Sequence, residues 1–386
     1  MTDWTIAGGD ALVGGAIGRA DIHIADGRIA AGAPAGARTI DASGLLVLPG
    51  IVDIHGDGFE RQVMPRPGVT FDLDIALHDT DRQLVANGIT TAFLGLTVSW
   101  EPGLRSLDNA HRFVAALLRL RDRLACDTRL HLRWETFAFE AVDAVCGWLD
   151  QAEGAILAFN DHTTGTALAF QGKIPGNPSP AAVARKFASW ADRAGLPLDD
   201  YRALVARVWE RREDVPATVE AVAARARAAG AVLLAHDEAS PEERARYRAL
   251  GAVASEFPIT VETAQAARAA GEHVILGAPN ILRGGSHTGA MGAAAAVRDG
   301  LCSVLASDYY YPAPLLAPFR LAADGVLPLA EAWALVSANA AAAAGLPDRG
   351  TLAAGQRGDV ILVDAAGGLP RVAAAFVAGR KVYDTR

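Results

Sequence analysis

Cysteine and lysine are both scarce in this chain, at three residues each among 386. Cys126, Cys146 and Cys302 share no CxxC spacing, and an odd, sparse count fits a reducing compartment better than a disulfide framework, so a cytoplasmic location is expected. Lysine is limited to Lys173, Lys186 and Lys381. The remaining 33 of 36 basic residues are arginine, so an isolated arginine carries little diagnostic weight. An excess of positive charge is also missing. With 44 acidic residues the net charge is −8, which argues against a broad footprint for nucleic acid or an anionic membrane. A small anionic substrate would then depend on local arginines or on bound metal. Long apolar runs are absent as well. The alanine-rich stretch from Leu327 to Leu346 contains Glu331 and Asn339 and predicts a helix packed on a core, with no membrane span. Asp3 and Asp10 near the start leave no pattern of a secretory signal.

What the chain does have is apolar mass. At 51% hydrophobic and 21% charged it can bury a large core, and its length suits one large domain with an appendage. Short β segments separated by glycine occupy the N-terminal part: Trp4 to Ile6, Ala20 to Ala25, Arg28 to Ala30 and Leu45 to Leu48. Val360 to Val363, Val372 to Val377 and Lys381 to Tyr383 have the same texture. The reading is a small β-sandwich built from residues 1–48 and 350–386. Between these ends lie eight apolar runs of strand length, namely 51–55, 89–94, 129–135, 155–161, 231–236, 253–257, 273–276 and 303–308. Helix-period stretches such as 107–124 and 216–229 separate most of them. Eight alternating units predict an α/β fold, a (β/α)8 barrel of the TIM type over 49–349, with a helical insertion near 173–215 that is either a lid or an interface element.

Several runs end in groups that bind metal. The first ends in Asp53-Ile54-His55-Gly56-Asp57, the third in Glu135, the fourth in Asp161-His162, the fifth in His236-Asp237 and the eighth in Ser307-Asp308. Strand C-termini converge on one mouth of such a barrel, so His55, Asp57, Glu135, His162, His236 and Asp308 are the predicted ligands. Imidazole with carboxylate suits zinc, manganese or iron(II) better than calcium. A lone histidine at a strand end is more often structural, and it is the number of coinciding ends that favours a site here. His131 shares the alternation of Arg133 and Glu135 and points into the barrel on that count. Gly277 to Gly289 follows the seventh strand, where Arg283, Gly284, Gly285, Ser286 and His287 can hold phosphate oxygens, with Arg61, Arg66 and Lys173 as further positive charges.

Val47-Leu48-Pro49-Gly50-Ile51-Val52-Asp53-Ile54-His55 resembles the entry to the first barrel strand of the amidohydrolase superfamily. More narrowly, nine segments resemble its diphosphatase family of phosphonate metabolism: His55-Gly56-Asp57, Met64 to Pro67, Gly88 to Thr91, His131 to Glu135, Asp161-His162, His236-Asp237, Glu256 to Pro258, Gly277 to His287 and Ser307 to Tyr310. The resemblance implies one or two divalent metals, zinc above all, and a homodimer by superfamily habit. It implies hydrolysis of α-D-ribose 1-methylphosphonate 5-triphosphate to the 5-phosphate and pyrophosphate, with Asp308 orienting or deprotonating the water. The superfamily's His-x-His is His55-Gly56-Asp57 here, as in the diphosphatase family. No lysine ends a strand to be carboxylated, which makes Glu135 the expected bridging carboxylate, with Glu256 read as structural and Asp237 as turned away by strand alternation. After Asp161-His162 the chain reads Thr163-Thr164-Gly165-Thr166, where the family has Pro, Gly and Gln. Two other readings stand beside this one. One is a cyclic amidase, N-acyl sugar deacetylase or deaminase of the same superfamily, which would not need Arg283 to His287. The other is a catalytically inactive barrel kept as a binding subunit, which should have lost ligands this chain retains.

Overall fold

The computed structural model describes residues 2–66, 68–173, 179–284 and 292–386. Eight parallel strands form the central sheet: β1 (Ile51–Gly56), β2 (Ile89–Val98), β3 (Asp127–Glu135), β4 (Ile156–Asn160), β5 (Val232–His236), β6 (Ala254–Glu256), β7 (His273–Gly277) and β8 (Val304–Ala306), paired in chain order. A parallel bridge between Gly56 and Asp308 closes β8 onto β1, with Asp308 N donating to His55 O and Asp57 N donating to Asp308 O, both at 2.9 Å. This is the (β/α)8 barrel expected from the count of runs.

Period-two alternation explains why these strands are almost wholly buried. Val52, Ile54, Phe93, Ile156, Ala158, Leu234, Ala254, Ile275, Val304 and Ala306 fill the inside of the barrel. On the same strands Leu94, Leu96, Val98, Leu130, Leu132, Trp134, Leu157 and Phe159 face the surrounding helices. A strand covered on both faces reads as a continuous apolar run, which is what made the eight strands visible. β2 runs four residues beyond its expected end, because Leu96 and Val98 keep the outward rhythm that Leu94 begins.

The chain ends build two further sheets. Leu46–Pro49 pairs antiparallel with Val360–Asp364, joining both ends in a six-stranded sheet ordered Arg380–Asp384, Arg371–Val377, Val360–Asp364, Leu46–Pro49, Asp10–Val13 and Ala16–Arg19. A four-stranded sheet of Arg28–Ala30, Ile22–Ala25, Trp4–Ala7 and Arg38–Asp41 packs on it through Trp4, Ile6, Ile24, Val47, Val360, Leu362 and Phe376. The hairpin of Asp10–Val13 and Ala16–Arg19 escaped the sequence reading. Its turn is Gly14-Gly15, with φ of 59° and 83°, the positive values that a two-residue turn between twisted strands requires.

The insertion contains two helices, α2 (Pro180–Ala194) and α3 (Leu198–Trp209), which follow α1 (His162–Phe170) of the barrel. Residues 174–178 of the insertion lie outside the described residues. Ala167 and Phe170 of α1 meet Ala191, Ala194, Tyr201 and Val205 in a separate apolar cluster. The alanine-rich stretch forms two short helices, Leu329–Ala334 and Ala338–Ala343, in place of the single one expected. They break at Ser337, whose φ of −134° and ψ of −89° leave the helical region. No helix among the described residues is long and apolar enough to cross a membrane.

Candidate metal centre at the barrel mouth

The inward rhythm that fills the barrel with Val, Ile and Ala changes to titratable groups at the strand C-termini. Arg133 and Glu135 follow His131 on β3, His236 follows Leu234 on β5, and Glu256 follows Ala254 on β6. Among the described residues three groups of ligand atoms result: His55 with His236 and Glu256, His162 with His236 and Asp237, and His55 with Asp57 and Asp308. His55 and His236 each belong to two of the groups, so together they form one continuous centre.

Glu256 lies in the middle of it. Its Oε2 is 2.7 Å from His236 Nδ1 and 3.7 Å from His131 Nε2, and its Oε1 is 2.8 Å from His55 Nδ1. That last pair is close but off the hydrogen-bonding line, leaving both atoms without a hydrogen-bond partner. Arg133 reaches across with Nη1 3.0 Å from Asp57 Oδ2 and Nη2 3.1 Å from His236 Nε2. Gly95 makes room for it. A Cβ there would stand 3.3 Å from Arg133 Cδ and 3.5 Å from His55 Nε2.

The other predicted residues are placed as follows. Asp57 and Asp308 come together where β8 closes on β1. His162 begins α1, and Asp161 caps that helix by accepting Thr164 N–H at 2.8 Å, which leaves the cap turned away from the centre's ligands. Glu135 lies outside all three groups: its Oε1 is 2.6 Å from His162 Nδ1, and its Oε2 takes the His162 N–H at 3.3 Å. Asp237 is turned in, its Oδ2 3.2 Å from His162 Nε2. Alternation misleads there because β5 ends at His236 and Asp237 takes a left-handed φ of 57°.

The expected anion loop differs in form. Ala278–Arg283 is a short helix beginning straight after β7, with Pro279 in its first turn and Gly284 closing it at φ 78°. Arg283 Nη1 lies 3.3 Å from Tyr309 Oη, and Arg61 donates to Tyr309 O, so two guanidinium groups contact the residue that follows Asp308. Gly285, Ser286 and His287 lie outside the described residues. Arg66 and Lys173 are exposed, Arg66 in a bridge with Val69 and Lys173 just past α1, and neither takes part in a described contact with the centre.

A family model described as Amidohydrolase family matches residues 197–383. Alpha-D-ribose 1-methylphosphonate 5-triphosphate diphosphatase of Escherichia coli (strain K12) is 31% identical over 350 residues, covering 88% of this chain and 90% of the relative. The chain belongs to the amidohydrolase family. Solved structures agree on the fold. A Xaa-Pro dipeptidase with bound methionine in its active site matches with a TM-score of 0.66 at 13% identity, covering 100% of both chains. A D-hydantoinase matches with a TM-score of 0.61 at 15% identity, over 100% of this chain and 95% of that one.

Amidohydrolases generally bind divalent metal, and this amidohydrolase has the donors to do so. His55 Nδ1, His131 Nε2 and Glu256 Oε1 are buried polar atoms without a hydrogen-bond partner, a costly arrangement that a cation among them would relieve. The electrostatics point the same way. Burial, then Arg133, lowers His55 to about 3, burial lowers His131 to about 4, and burial with Arg133 holds His236 well below its usual value. All three imidazoles are therefore neutral at pH 7, the form that ligates. Burial lifts Glu256 to about 7, and burial with the Asp57 carboxylate lifts Asp308 to about 7. His162 is the exception. Burial lowers it, but Glu135 and Asp237 outweigh that and raise it to about 9.

Glu256, expected to be structural, and Asp237, expected to turn away, both belong to this centre, and Arg133 joins them through Asp57 and His236. Glu256 ends β6 just as His236 ends β5, so the strand-end rule applied evenly would have found it.

Proposed function

We propose that this amidohydrolase is a metal-dependent diphosphatase that hydrolyses α-D-ribose 1-methylphosphonate 5-triphosphate, or a closely similar sugar 5-triphosphate, to the 5-phosphate and pyrophosphate in phosphonate breakdown. The relative's name suggests that substrate. The supporting observation in this chain is two guanidinium groups, Arg61 and Arg283, that both contact Tyr309, the residue after Asp308 in the chain. An amide or an amine substrate has no need of them, whereas a triphosphate does.

His55, Asp57, His162, His236, Asp237, Glu256 and Asp308 would hold one or two divalent ions, zinc in preference, with manganese or iron(II) compatible. Bound there, such an ion supplies Lewis acidity that acidifies water and offsets charge on phosphoryl oxygens. The remaining work belongs to the chain. Arg61 and Arg283 bind the triphosphate oxygens, joined in this proposal by Gly284, Gly285, Ser286 and His287. A water oxygen bonds to phosphorus at the α–β anhydride, the bond from that phosphorus to the bridging oxygen breaks, and the water's proton passes to an Asp308 carboxylate oxygen. Gly277 leaves space for that carboxylate, since a Cβ there would lie 3.2 Å from Asp308 Oδ2. The cytoplasm is the proposed location.

The test is pyrophosphate release by the purified protein, supplied in turn with zinc, manganese and iron(II), from this triphosphate and from nucleoside triphosphates. N-acyl sugars, hydantoins and amino-purines are run alongside. Release of pyrophosphate from the sugar triphosphate, lost by at least about a hundredfold in Asp308→Asn, is expected. Turnover of an amide or amine with none of the triphosphates would overturn the assignment.

A further inference from the structure

A buried carboxylate joins the insertion to the barrel mouth. Glu101 follows β2 and is 6% exposed. It accepts Arg193 Nη2 at 2.7 Å and Nε at 3.1 Å from α2, and Tyr201 Oη at 2.6 Å from α3. Its own N–H donates to Ser99 Oγ at 3.1 Å, which fixes the loop that carries it. The next residue along the chain of contacts is Trp100, stacked on the Tyr201 ring with 6.2 Å between centroids and donating Nε1 to Thr163 Oγ1 at 2.8 Å. Thr163 Oγ1 stands 3.4 Å from Glu135 Oε2, the oxygen that takes the His162 N–H.

Apolar packing alone would hold an insertion of two helices on the barrel, and a buried carboxylate is costly unless its partners compensate it. Charge-assisted bonds from two helices to one carboxylate add what packing lacks, a fixed direction. Nothing in the hydrolysis uses Glu101 directly. We infer that Glu101 is a positioning residue that clamps α2 and α3 to the β2 loop and, through Trp100 and Thr163, sets where Glu135 and His162 stand at the mouth. Its consequence for rate rests on the proposed hydrolytic function, while its consequence for α1 does not.

The full-length protein with zinc added is compared with Glu101→Gln, Tyr201→Phe and Thr163→Val. Hydrogen exchange in α1 quickens about tenfold in Glu101→Gln and severalfold in Tyr201→Phe, the milder change that keeps the fold, with helix Leu107–Leu120 unchanged as the control. With the triphosphate, kcat falls about tenfold in Glu101→Gln while KM stays within about threefold, and adding Thr163→Val to it costs little more, as expected of groups acting in one chain. Loosening confined to α2 and α3, with α1 as protected as in the wild type, would overturn the inference, as would fully additive losses in the double variant. If the wild type turns over no triphosphate but the exchange coupling is found, the clamp stands and the substrate assignment falls.

Discussion

Glu135 and His162 form a close pair at the mouth, 2.6 Å apart, and with Asp237 they show how neighbouring carboxylates set a titration. The raised His162 value, about 9 against an ordinary 6.5, means that folding favours the imidazolium. Its contribution to stability is complete below pH 6.5 and is lost as pH rises through about 9. Glu135→Gln removes the main attraction, so in chelator-treated protein the stability gap between wild type and variant should be largest near about pH 6 and shrink toward about pH 10. Thermal melts at a series of pH values measure it, and a gap independent of pH would show that Glu135 does not charge His162. The three other imidazoles of the centre behave oppositely. Held neutral by burial, they cost the metal-free protein stability as pH falls below 6.5, and bound metal should reduce that loss by competing with protons.

At the scale of elements, α1 matters most because its first residue is a ligand candidate. Asp161 caps it, taking Thr164 N–H at 2.8 Å and the Thr164 hydroxyl at 2.6 Å. Asp161→Ala should cost about 1 kcal/mol of stability and weaken metal binding through His162, read from urea melts and metal titration together. A full loss of stability without any change in metal affinity would show that α1 holds His162 by its packing alone. The insertion stands on the other side of the same helix. Its position relative to α1 is set by the Phe170, Trp190 and Tyr201 rings as well as by Glu101.

On the scale of the whole molecule, the sheets formed by the chain ends are continuous with the barrel. One apolar cluster runs from Leu12 and Leu48 through Ile89, Leu305 and Trp333 to Ile361, Val363 and Val372. Trp333 Nε1 also donates to Pro49 O at 3.0 Å across this boundary. Gly88 shows how closely the two parts approach, since a Cβ there would lie 2.9 Å from Ile361 Cδ1. Ile361→Ala should therefore cost about 2–5 kcal/mol and lower the melting of barrel and terminal sheets as one transition in calorimetry. Two separated transitions, with only one displaced, would show that the parts unfold independently.

The eight barrel strands and the convergence of His55, Asp57, His236 and Asp308 were legible in the order of residues, because burial on both faces and titratable residues at or just after several strand ends are local properties. The Gly14-Gly15 hairpin was less legible, since Asp10–Val13 and Ala16–Arg19 are four residues each and lie at one edge of their sheet. What the tertiary structure alone decided is which charged groups face one another. Glu256 meets three histidines because β1, β3, β5 and β6 close into one ring, and Arg133 on β3 reaches Asp57 after β1 on one side and His236 on β5 on the other. Asp237 turns inward because its strand ends one residue earlier and its backbone enters a left-handed conformation, which alternation along a strand does not express. Local pattern sets where each strand ends. Barrel closure brings residues tens of positions apart within hydrogen-bonding distance, and only that closure settles their partners.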